Sequence, residues 1–363
     1  MKFKDRIDVD LLLYLAIIVV SAIALVFLDM NKFEYNYAIS IIEKSLVYAV
    51  VALSMNIVTG FTGLFSLGQA GFMALGAYTT AILTIPANVR PNVYYMNGIL
   101  PALENAVVPI PVALILGGVV AAVFAALIGI PVLKLKSDYL AIATLGFSEI
   151  IRAVIASPMM DKITNGSYGL KSIPGFKSSL ECFAYSLVLI IIMILIINSS
   201  TGRDFKAIRE DEIAARSVGI NIFKTKELSF VVSSFFTGVG GGLLAMFMRS
   251  IDSKTFSITL TYDILLIVVL GGIGSITGSI VGAFFVTAGK ELLRFFDEPF
   301  AIAGVEIPLF KPGFRMVIFS ILLMVVVLFF RKGLIGGREL SFNEFIMLKK
   351  AKKSQDIRKE GKA

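Results

Sequence analysis

The sequence contains no histidine and no tryptophan, and Cys182 is its single cysteine. A disulfide within one chain needs two cysteines, structural zinc sites are built from Cys and His, and hydrolase triads use His as their base. These kinds of site are therefore excluded, and we expect neither a catalytic residue nor a metal site. Without tryptophan, tyrosine and phenylalanine must supply any aromatic belt at a membrane surface.

The pattern G-x-x-x-x-G-K-[ST], whose glycine-rich loop cradles the phosphates of ATP, is also missing. Its nearest imitation, GAFFVTAGKE at 282–291, has the wrong spacing and lies in an apolar run. We therefore expect no cofactor on this chain, and any ATP and Mg²⁺ to be bound by a partner chain.

Charged residues make up only 17% of the chain, whereas 57% of its residues are hydrophobic and its mean hydropathy is +0.86. A soluble protein of 363 residues could not hide so much apolar surface, so lipid must be the solvent. Apolar runs recur along the whole chain, which predicts an all-α, polytopic transmembrane helical bundle. The candidate spans are 11–28, 39–59, 63–85, 109–131, 138–157, 182–198, 228–248, 261–272, 274–290 and 313–330.

The segment 261–290 decides the span count. As a helix, 261–272 would rise only about 18 Å against a hydrocarbon core of roughly 30 Å, so 261–290 could be one long or broken span. With ten crossings and the N-terminus inside, cytoplasmic segments hold 21 of the 34 lysines and arginines, and external connections hold ten. The positive-inside rule therefore favours about ten crossing or half-spanning helices with both termini cytoplasmic.

The same distribution of charge bears on domains and partners. Residues 1–331 are predicted to form a single membrane domain, and 332–363 a basic, partly disordered cytoplasmic tail. The net charge of +8 is mostly an orientation signal, with contact of the tail to anionic lipid. We expect no nucleic-acid partner.

A polar, helix-prone island at 202–227 separates the apolar runs 183–198 and 228–248. Helix is predicted over 205–218, and Gly219 is its expected stop. One interpretation is a docking element for a soluble partner; the other is a solvated amphipathic loop on the membrane surface. The candidate contact residues are Arg209, Glu210, Asp211, Glu212, Ala214, Ala215 and Gly219.

Two glycine-rich segments match at a constant offset of 211 residues, with Gly60, Gly63 and Gly71 corresponding to Gly271, Gly274 and Gly282. Small residues let membrane helices pack closely, and they also permit broken helices that line a substrate path. A path or gate and plain helix packing both remain open. The candidate path residues are Gly63, Ser66, Gly68, Gln69, Gly71, Gly271, Gly274 and Gly278.

Glu149 and Arg152 are three residues apart within the candidate span 138–157, so they share one helical face and can pair. They are interpreted as the only ionisable residues deep within a span. Charges inside a membrane usually face the bundle interior. The pair is predicted either to touch a ligand path or hinge, or to be a structural ion pair between two helices.

The segment NGSYGL at 165–170 lies in a connection predicted to be external. Asn165, Gly166 and Gly169 are its candidate functional residues, which would cap a pore or meet an external binding protein. The alternative is an ordinary turn, for which Asn-Gly is a common signal.

Several motifs together resemble one family. EIAARSVG at 212–219 resembles the E-A-A-x-x-x-G loop of ABC importer permeases, and 202–221 resembles the cytoplasmic loop of the LivM-type branched-chain amino-acid permeases. Further similar segments, in the same order, are GLFSLGQAGFMALGAY (63–78), LKSDYLAIATLGFSEIIR (135–152), NGSYGL (165–170) and GGIGSITGSIVGAF (271–284).

The resemblance implies a transport subunit of the bacterial inner or plasma membrane, not an enzyme. Its island would be a coupling helix seated on an ATPase, and its partners two ABC ATPases, a second permease of the LivH type and an external solute-binding protein. The implied cargo is a branched-chain or related amino acid. The alternative is a self-contained secondary transporter driven by an ion gradient, which would need carboxylates at an ion site and no coupling loop.

Overall fold

The computed structural model describes residues 3–96, 98–135, 137–294, 301–302, 305–306, 317–321, 324 and 333–334. Of the predicted last span 313–330, these include only 317–321 and 324, all helical. The predicted basic tail 332–363 lies outside the described residues, apart from 333–334.

The described residues are mainly helical, as predicted. Two strands of two residues each, β1 (Ala301–Ile302) and β2 (Val305–Glu306), pair antiparallel. The longer helices are α1 (Phe3–Met30), α2 (Lys32–Asn56), α3 (Gln69–Thr84), α6 (Ile110–Val132), α7 (Ser137–Ile155), α9 (Ser179–Asn198), α10 (Ser200–Glu210), α12 (Ile222–Met248), α13 (Ile258–Gly271) and α14 (Ile276–Leu292). The short ones are α4 (Arg90–Val93), α5 (Pro101–Glu104), α8 (Asp161–Thr164) and α11 (Glu212–Ser217), with a π-helical turn at Ile57–Phe61 and 3₁₀ turns at Pro158–Met160 and Gly166–Tyr168.

Several predicted span boundaries were wrong; α1, for example, begins at Phe3 rather than at 11, and α2 at Lys32 rather than at 39. The span expected from residue 63 begins at Gln69, because Gly63 has a positive φ of 77° and the segment up to Gly68 is not helical. The span expected from 228 begins at Ile222, because the Asn221 side chain accepts a hydrogen bond from the backbone of Lys224 and caps the helix there. α13 begins at Ile258 rather than at 261.

Among the described residues, four helices are long and apolar enough to cross a membrane: Lys32–Phe61, Ile110–Val132, Ser179–Asn198 and Ile222–Met248. A fifth crossing results if Tyr139–Ile155 and Pro158–Thr164, which meet at a bend of 60°, form one span. α13 has 14 residues, which corresponds to a rise of only about 21 Å. The coarse prediction of several apolar helices is confirmed, and the count of ten is not.

α12 is the centre of the bundle and packs against α2, α3 and α6. Glycines allow the close approach: a Cβ added to Gly76 of α3 would lie 1.9 Å from the carbonyl oxygen of Gly238 in α12. A Cβ on Gly241 would lie 2.1 Å from the carbonyl oxygen of Met73. Helix backbones in membranes associate through such small residues, because lipid removes most of the hydrophobic drive to pack.

α13 and α14 form an antiparallel hairpin. Gly271 packs against the backbone of Gly278 near the tip, and Lys290 pairs with Asp263 at 2.5 Å towards the open end. The expected alternative of one continuous span over 261–290 is therefore wrong. The tip of this hairpin, between Gly271 and Ile276, lies next to the polar island, as described below.

Candidate functional site at the polar island and the broken helices

The island at 202–227 folds into two helices rather than one. α10 ends at Glu210 and α11 begins at Glu212, so the continuous helix predicted over 205–218 was wrong. The break is at Asp211, which is extended (φ −160°, ψ 115°) and accepts hydrogen bonds from Ile213 N at 2.7 Å and Ala214 N at 3.0 Å. An aspartate that caps the next helix interrupts the preceding one.

The contact residues predicted on the island divide into exposed and inward-facing groups. Glu210, Asp211, Glu212, Ala214 and Gly219 are exposed. Ala215 is not: it is buried in a small cluster with Ile208 and Ile222, so the prediction that it contacts a partner was wrong. Gly219 follows the last turn of α11 with a φ of 92°, the left-handed geometry of a helix stop.

Sequence reasoning missed two apolar side chains on the same surface. Ile213 is 80% exposed and Val218 is 77% exposed, although both flank the buried Ala215. The available signal was the acidic cluster beside isolated branched residues in an otherwise polar segment. Exposed apolar side chains within a polar rim are typical of a protein-binding surface.

Arg209 joins the island to the membrane bundle. Its Nη1 donates a hydrogen bond of 2.7 Å to the carbonyl oxygen of Gly60, in the π-helical turn that ends α2. Its Nη2 bonds to Glu210 at 2.8 Å, so the guanidinium bridges the bundle and the exposed acidic cluster. Part of this side chain thus faces the bundle, whereas the sequence predicted a contact with a partner.

Two further glycines surround the Arg209 side chain. A Cβ on Gly63 would lie 3.0 Å from its Cγ, and a Cβ on Gly274 would lie 2.6 Å from its Nη1. Both glycines have positive φ angles, 77° at Gly63 and 82° at Gly274. Residues with a side chain rarely adopt such angles. Arg209 therefore contacts the break between α2 and α3 and the break between α13 and α14 at the same point.

Asn56 ties the two breaks directly to each other. Its Oδ1 accepts a hydrogen bond of 2.8 Å from Gly274 N, and its Nδ2 donates to Ser275 O at 2.9 Å and to Ser279 Oγ at 2.7 Å. The side chain is completely buried, so all three bonds are shielded from water. We call Arg209, Asn56, Gly60, Gly63 and Gly274 the junction.

The match between the two glycine segments is limited in extent. Gly63 and Gly274, which correspond at the offset of 211, share the positive φ and the contact with Arg209. Beyond them the geometry diverges, because α3 begins at Gln69 and α14 already at Ile276.

The remaining candidate path residues pack within the bundle. Gln69 is buried and accepts a hydrogen bond of 2.6 Å from Thr237 of α12, whose hydroxyl also bonds to Ser54. Ser66 is buried as well. Gly68 and Gly71 face α7, and Gly271 and Gly278 face each other. These contacts are the close packing that small residues allow, and a role of any of them in a substrate path stays a prediction.

Glu149 and Arg152 form an ion pair with a shortest distance of 2.7 Å. Both residues belong to α7, so the pair joins two turns of one helix rather than two helices, and both side chains are about one-third exposed.

Glu149 and Arg152 are not the only paired ionisable residues in the long helices, and their depth in a membrane stays a prediction. Asp263 pairs with Lys290 between α13 and α14, and Lys44 pairs with Glu291 at 2.9 Å between α2 and the end of α14. These pairs join different helices, and their residues are 27 and 247 positions apart in sequence, so no local spacing indicates them.

The NGSYGL segment is an anchored turn. Asn165 is buried, adopts a left-handed φ of 57°, and donates to Val93 O at 3.1 Å and to Gly169 O at 2.8 Å. Gly166 and Gly169 also have positive φ. The aromatic ring of Tyr168 is half exposed and contacts Tyr95. Asn165 therefore holds connections together, and a contact with a partner would involve Tyr168 instead.

A buried arginine stabilises the neighbouring connection at 86–108. Arg90 donates to five carbonyl groups, those of Ile82, Ile85, Leu103, Glu104 and Ala106. Burial lowers its pKa and raises the pKa of the nearby Tyr94 phenol to about 12. Across the described residues, no group of three or more Asp, Glu or Cys side chains is arranged to hold a metal ion.

The fold and the junction define a multi-pass helical membrane protein in which an exposed polar element is attached to two broken helices. The family described as the permease component of branched-chain amino acid transport systems matches residues 37–330. The chain therefore belongs to this family.

Sequence relatives of the chain agree with this assignment. The chain is 33% identical over 295 residues to the high-affinity branched-chain amino acid transport system permease protein LivM of Salmonella typhimurium, and 34% identical over 294 residues to that of Escherichia coli. Each match covers 72% of this chain but only 64% of the relative. A probable LivM of Methanocaldococcus jannaschii is 25% identical over 81% of this chain and 91% of its own. No solved structure matches the chain.

Proposed function

We propose that this chain is a permease subunit of an ABC importer for branched-chain or related amino acids. In this role it forms part of the translocation path and catalyses no covalent chemistry. ATP and Mg²⁺ are bound by two separate ATPase subunits, a second permease of the LivH type completes the pore, and an external binding protein delivers the amino acid. Family membership supports the proposal, and the junction at Arg209 is the observation that carries it.

The junction supplies a physical route for coupling. A movement of α10 displaces Arg209, and Arg209 is hydrogen-bonded to Gly60 and packed against Gly274. Because Asn56 bonds the two breaks together, a displacement at one break is transmitted to the other. In this proposal the junction has two alternative packed arrangements, and such elements convert a small shift at one site into a larger rearrangement.

The ATPase docks on the exposed face of α11 and the end of α10 in this proposal. The centre of this docking face is apolar, with Ile213 and Val218, and the rim of the face is acidic, with Glu210 and Glu212. Glu212 is also held by Lys226 of α12 at 2.6 Å, which fixes α11 against the base of the central helix. A rigid, capped lever with an apolar centre suits a firm attachment to a soluble partner.

The orientation follows from charge. With the island and both termini in the cytoplasm, about ten segments cross or half-cross the inner membrane, which satisfies the positive-inside rule. The hairpin of α13 and α14 then enters from the outside, and its tip meets the island on the cytoplasmic side.

Reconstitution tests the function. The chain and its permease partner are placed in proteoliposomes with and without the ATPase subunits, and uptake of radiolabelled leucine is followed. We expect uptake only with the ATPases, external binding protein and ATP. Uptake driven by a proton or sodium gradient without ATPases would contradict the proposal and support a secondary transporter.

A further inference from the structure

A cavity of about 370 Å³ lies at the end of the bundle opposite the island. α2 and α12 both run from that end to the island end, since Lys32 and Arg249 border the cavity whereas Gly60 and Ile222 adjoin the island. The volume is within the range of roughly 300–1,000 Å³ typical of small-molecule sites. None of the candidate path residues from the sequence lines it.

The cavity follows one face of α2. Lys32, Asn36, Ile39, Ser40 and Glu43 line it, and their spacing of three and four residues places them on one side of the helix. This face extends over roughly 16 Å along the helix axis. The lining also includes the apolar residues Phe176 and Met246, both of which are buried.

Two opposite charges face this space without an ion-pair partner. Among the described residues, neither the Glu43 carboxylate nor the Arg249 guanidinium takes part in a salt bridge. Lys32 differs, because it already pairs with Asp29 at 3.4 Å. Arg249, Lys32 and Asp29 all act electrostatically on Glu43, so these charges lie near one another.

The backbone at Arg249 is unusual. Arg249 follows the last residue of α12 with a φ of 57°, a left-handed position at which glycine or asparagine is the ordinary choice. An arginine costs more there than glycine. A Cβ added to Gly175 would lie only 2.3 Å from the Nε of Arg249. The glycine in the neighbouring loop therefore leaves space for the Arg249 side chain.

We propose that this cavity binds a zwitterionic α-amino acid with an apolar side chain, its carboxylate on Arg249 and its ammonium group on Glu43. The apolar wall of Phe176 and Met246 receives the side chain of the ligand. The inference rests on the proposed function, in which this end of the bundle faces the external binding protein. The site is then the first position that the amino acid occupies on the permease.

Binding is measured with the 363-residue chain in lipid nanodiscs and radiolabelled L-leucine, without ATPases. 4-Methylpentanoate, which lacks the ammonium group, and isoamylamine, which lacks the carboxylate, serve as competitors. We expect leucine to bind, Glu43→Gln and Arg249→Gln to weaken it about tenfold or more, and Arg249→Lys to restore part of the loss. Lys171→Gln, an exposed charge outside the cavity, is the matched control and leaves binding unchanged.

The two competitors show which group of the ligand each charged residue binds. Glu43→Gln should abolish the preference for leucine over 4-methylpentanoate, and Arg249→Gln the preference for leucine over isoamylamine. Absence of leucine binding to the unsubstituted chain, or equal binding by the two variants and the control, would overturn the site. In either case ATPase-driven uptake would still test the proposed function separately.

A second measurement leaves both charges in place. Cys182 is buried, so a cysteine introduced at the exposed, cavity-lining Ser40 becomes the accessible thiol. Leucine should slow the alkylation of Ser40→Cys by N-ethylmaleimide several-fold and leave that of Ser167→Cys, exposed outside the cavity, unchanged. Alkylation of Ser40→Cys at the same rate with and without saturating leucine would overturn the proposal even if the charge variants fail to fold.

Discussion

Arg209 of the island donates a hydrogen bond of 2.7 Å to the carbonyl oxygen of Gly60. That carbonyl belongs to the π-helical turn where α2 ends, and the last carbonyl groups of a helix have no partner within the helix. A charged donor on a backbone acceptor is stronger than a neutral hydrogen bond. The exposed lever and the broken helix are therefore joined by one specific interaction, 149 residues apart in sequence.

Replacing Arg209 by lysine should uncouple ATP hydrolysis from transport. Lysine keeps the charge but lacks the fork that bonds Gly60 and Glu210 together, and losing a hydrogen bond to a charged group costs about 1.5–3 kcal/mol. We expect leucine uptake per ATP hydrolysed in proteoliposomes to fall roughly tenfold while the ATPases remain associated. Arg203→Lys, an exposed position on the same helix, is the control. Unchanged stoichiometry in Arg209→Lys would mean that the junction does not transmit movement.

Asp211 should act as a helix cap rather than as a charge. Asp211→Ala removes the acceptor for Ile213 N and Ala214 N and should destabilise α11 by about 0.5–2 kcal/mol. Asn caps nearly as well as Asp, so Asp211→Asn should keep α11 ordered. Hydrogen exchange of the Ile213 and Ala214 amides measures the difference: faster exchange in Asp211→Ala alone is expected. If exchange is accelerated equally in both variants, the carboxylate charge of Asp211 matters rather than its role as a cap.

The exposed apolar centre of α11 should dominate ATPase binding. Ile213→Asp puts a charge where an isoleucine would be buried, and full burial of such a side chain is worth about 1.5–3 kcal/mol. We expect affinity for the ATPase, measured by pull-down titration, to fall at least roughly tenfold. Arg203→Asp alters charge on α10 away from this surface and should have little effect. Charge reversal at Glu210 and Glu212 should weaken association less than Ile213→Asp does, because rim charges contribute modestly.

Sequence patterns predicted local contacts within a helix better than the side of the helix on which a residue packs. The Glu149–Arg152 pair, the helix stop at Gly219 and the apolar helices depend on neighbours a few residues apart, and spacing alone indicates them. The direction of Arg209 depends on Gly60, 149 residues away in sequence, and that of Ala215 depends on how α10 and the start of α12 fold around it. Periodicity assigned both residues to a polar helix but not to the side that faces the bundle.

The missed break at Asp211 has a similar cause. Every residue of 205–218 is compatible with helix, and aspartate is common both inside a polar helix and at its start. Phe205 packs in the main core of the bundle, whereas Ile208 packs with Ala215 and Ile222, and this arrangement requires the chain to change direction between α10 and α11. The ion pair between Asp263 and Lys290, 27 residues apart, could not be recognised before the hairpin was known.

A methyl group added at the contact between α3 and α12 should destabilise the bundle. Gly76→Ala places a Cβ 1.9 Å from the carbonyl oxygen of Gly238, and neither backbone can move without disturbing the bundle. Overpacking of this kind typically costs about 1–3 kcal/mol. We expect a clear drop in the thermal unfolding midpoint of the detergent-solubilised chain. Gly146→Ala, at a helical glycine with nothing within 4 Å of the added Cβ, is the matched control and should be neutral or stabilising.

Removing one partner of the ion pair between α13 and α14 should destabilise the chain more than removing both partners. Lys290→Met leaves the Asp263 carboxylate without its partner in a partly buried position, and an unpaired charge there is costlier than no charge. The double variant Asp263→Asn with Lys290→Met removes both charges at once. We therefore expect the single variant to unfold at a lower temperature than the double variant, and the double variant to lie close to the unsubstituted chain. A double-mutant cycle on thermal unfolding measures this. If the double variant is as unstable as Lys290→Met, the contribution of Lys290 comes from its contact with the Phe319 ring rather than from its pairing with Asp263.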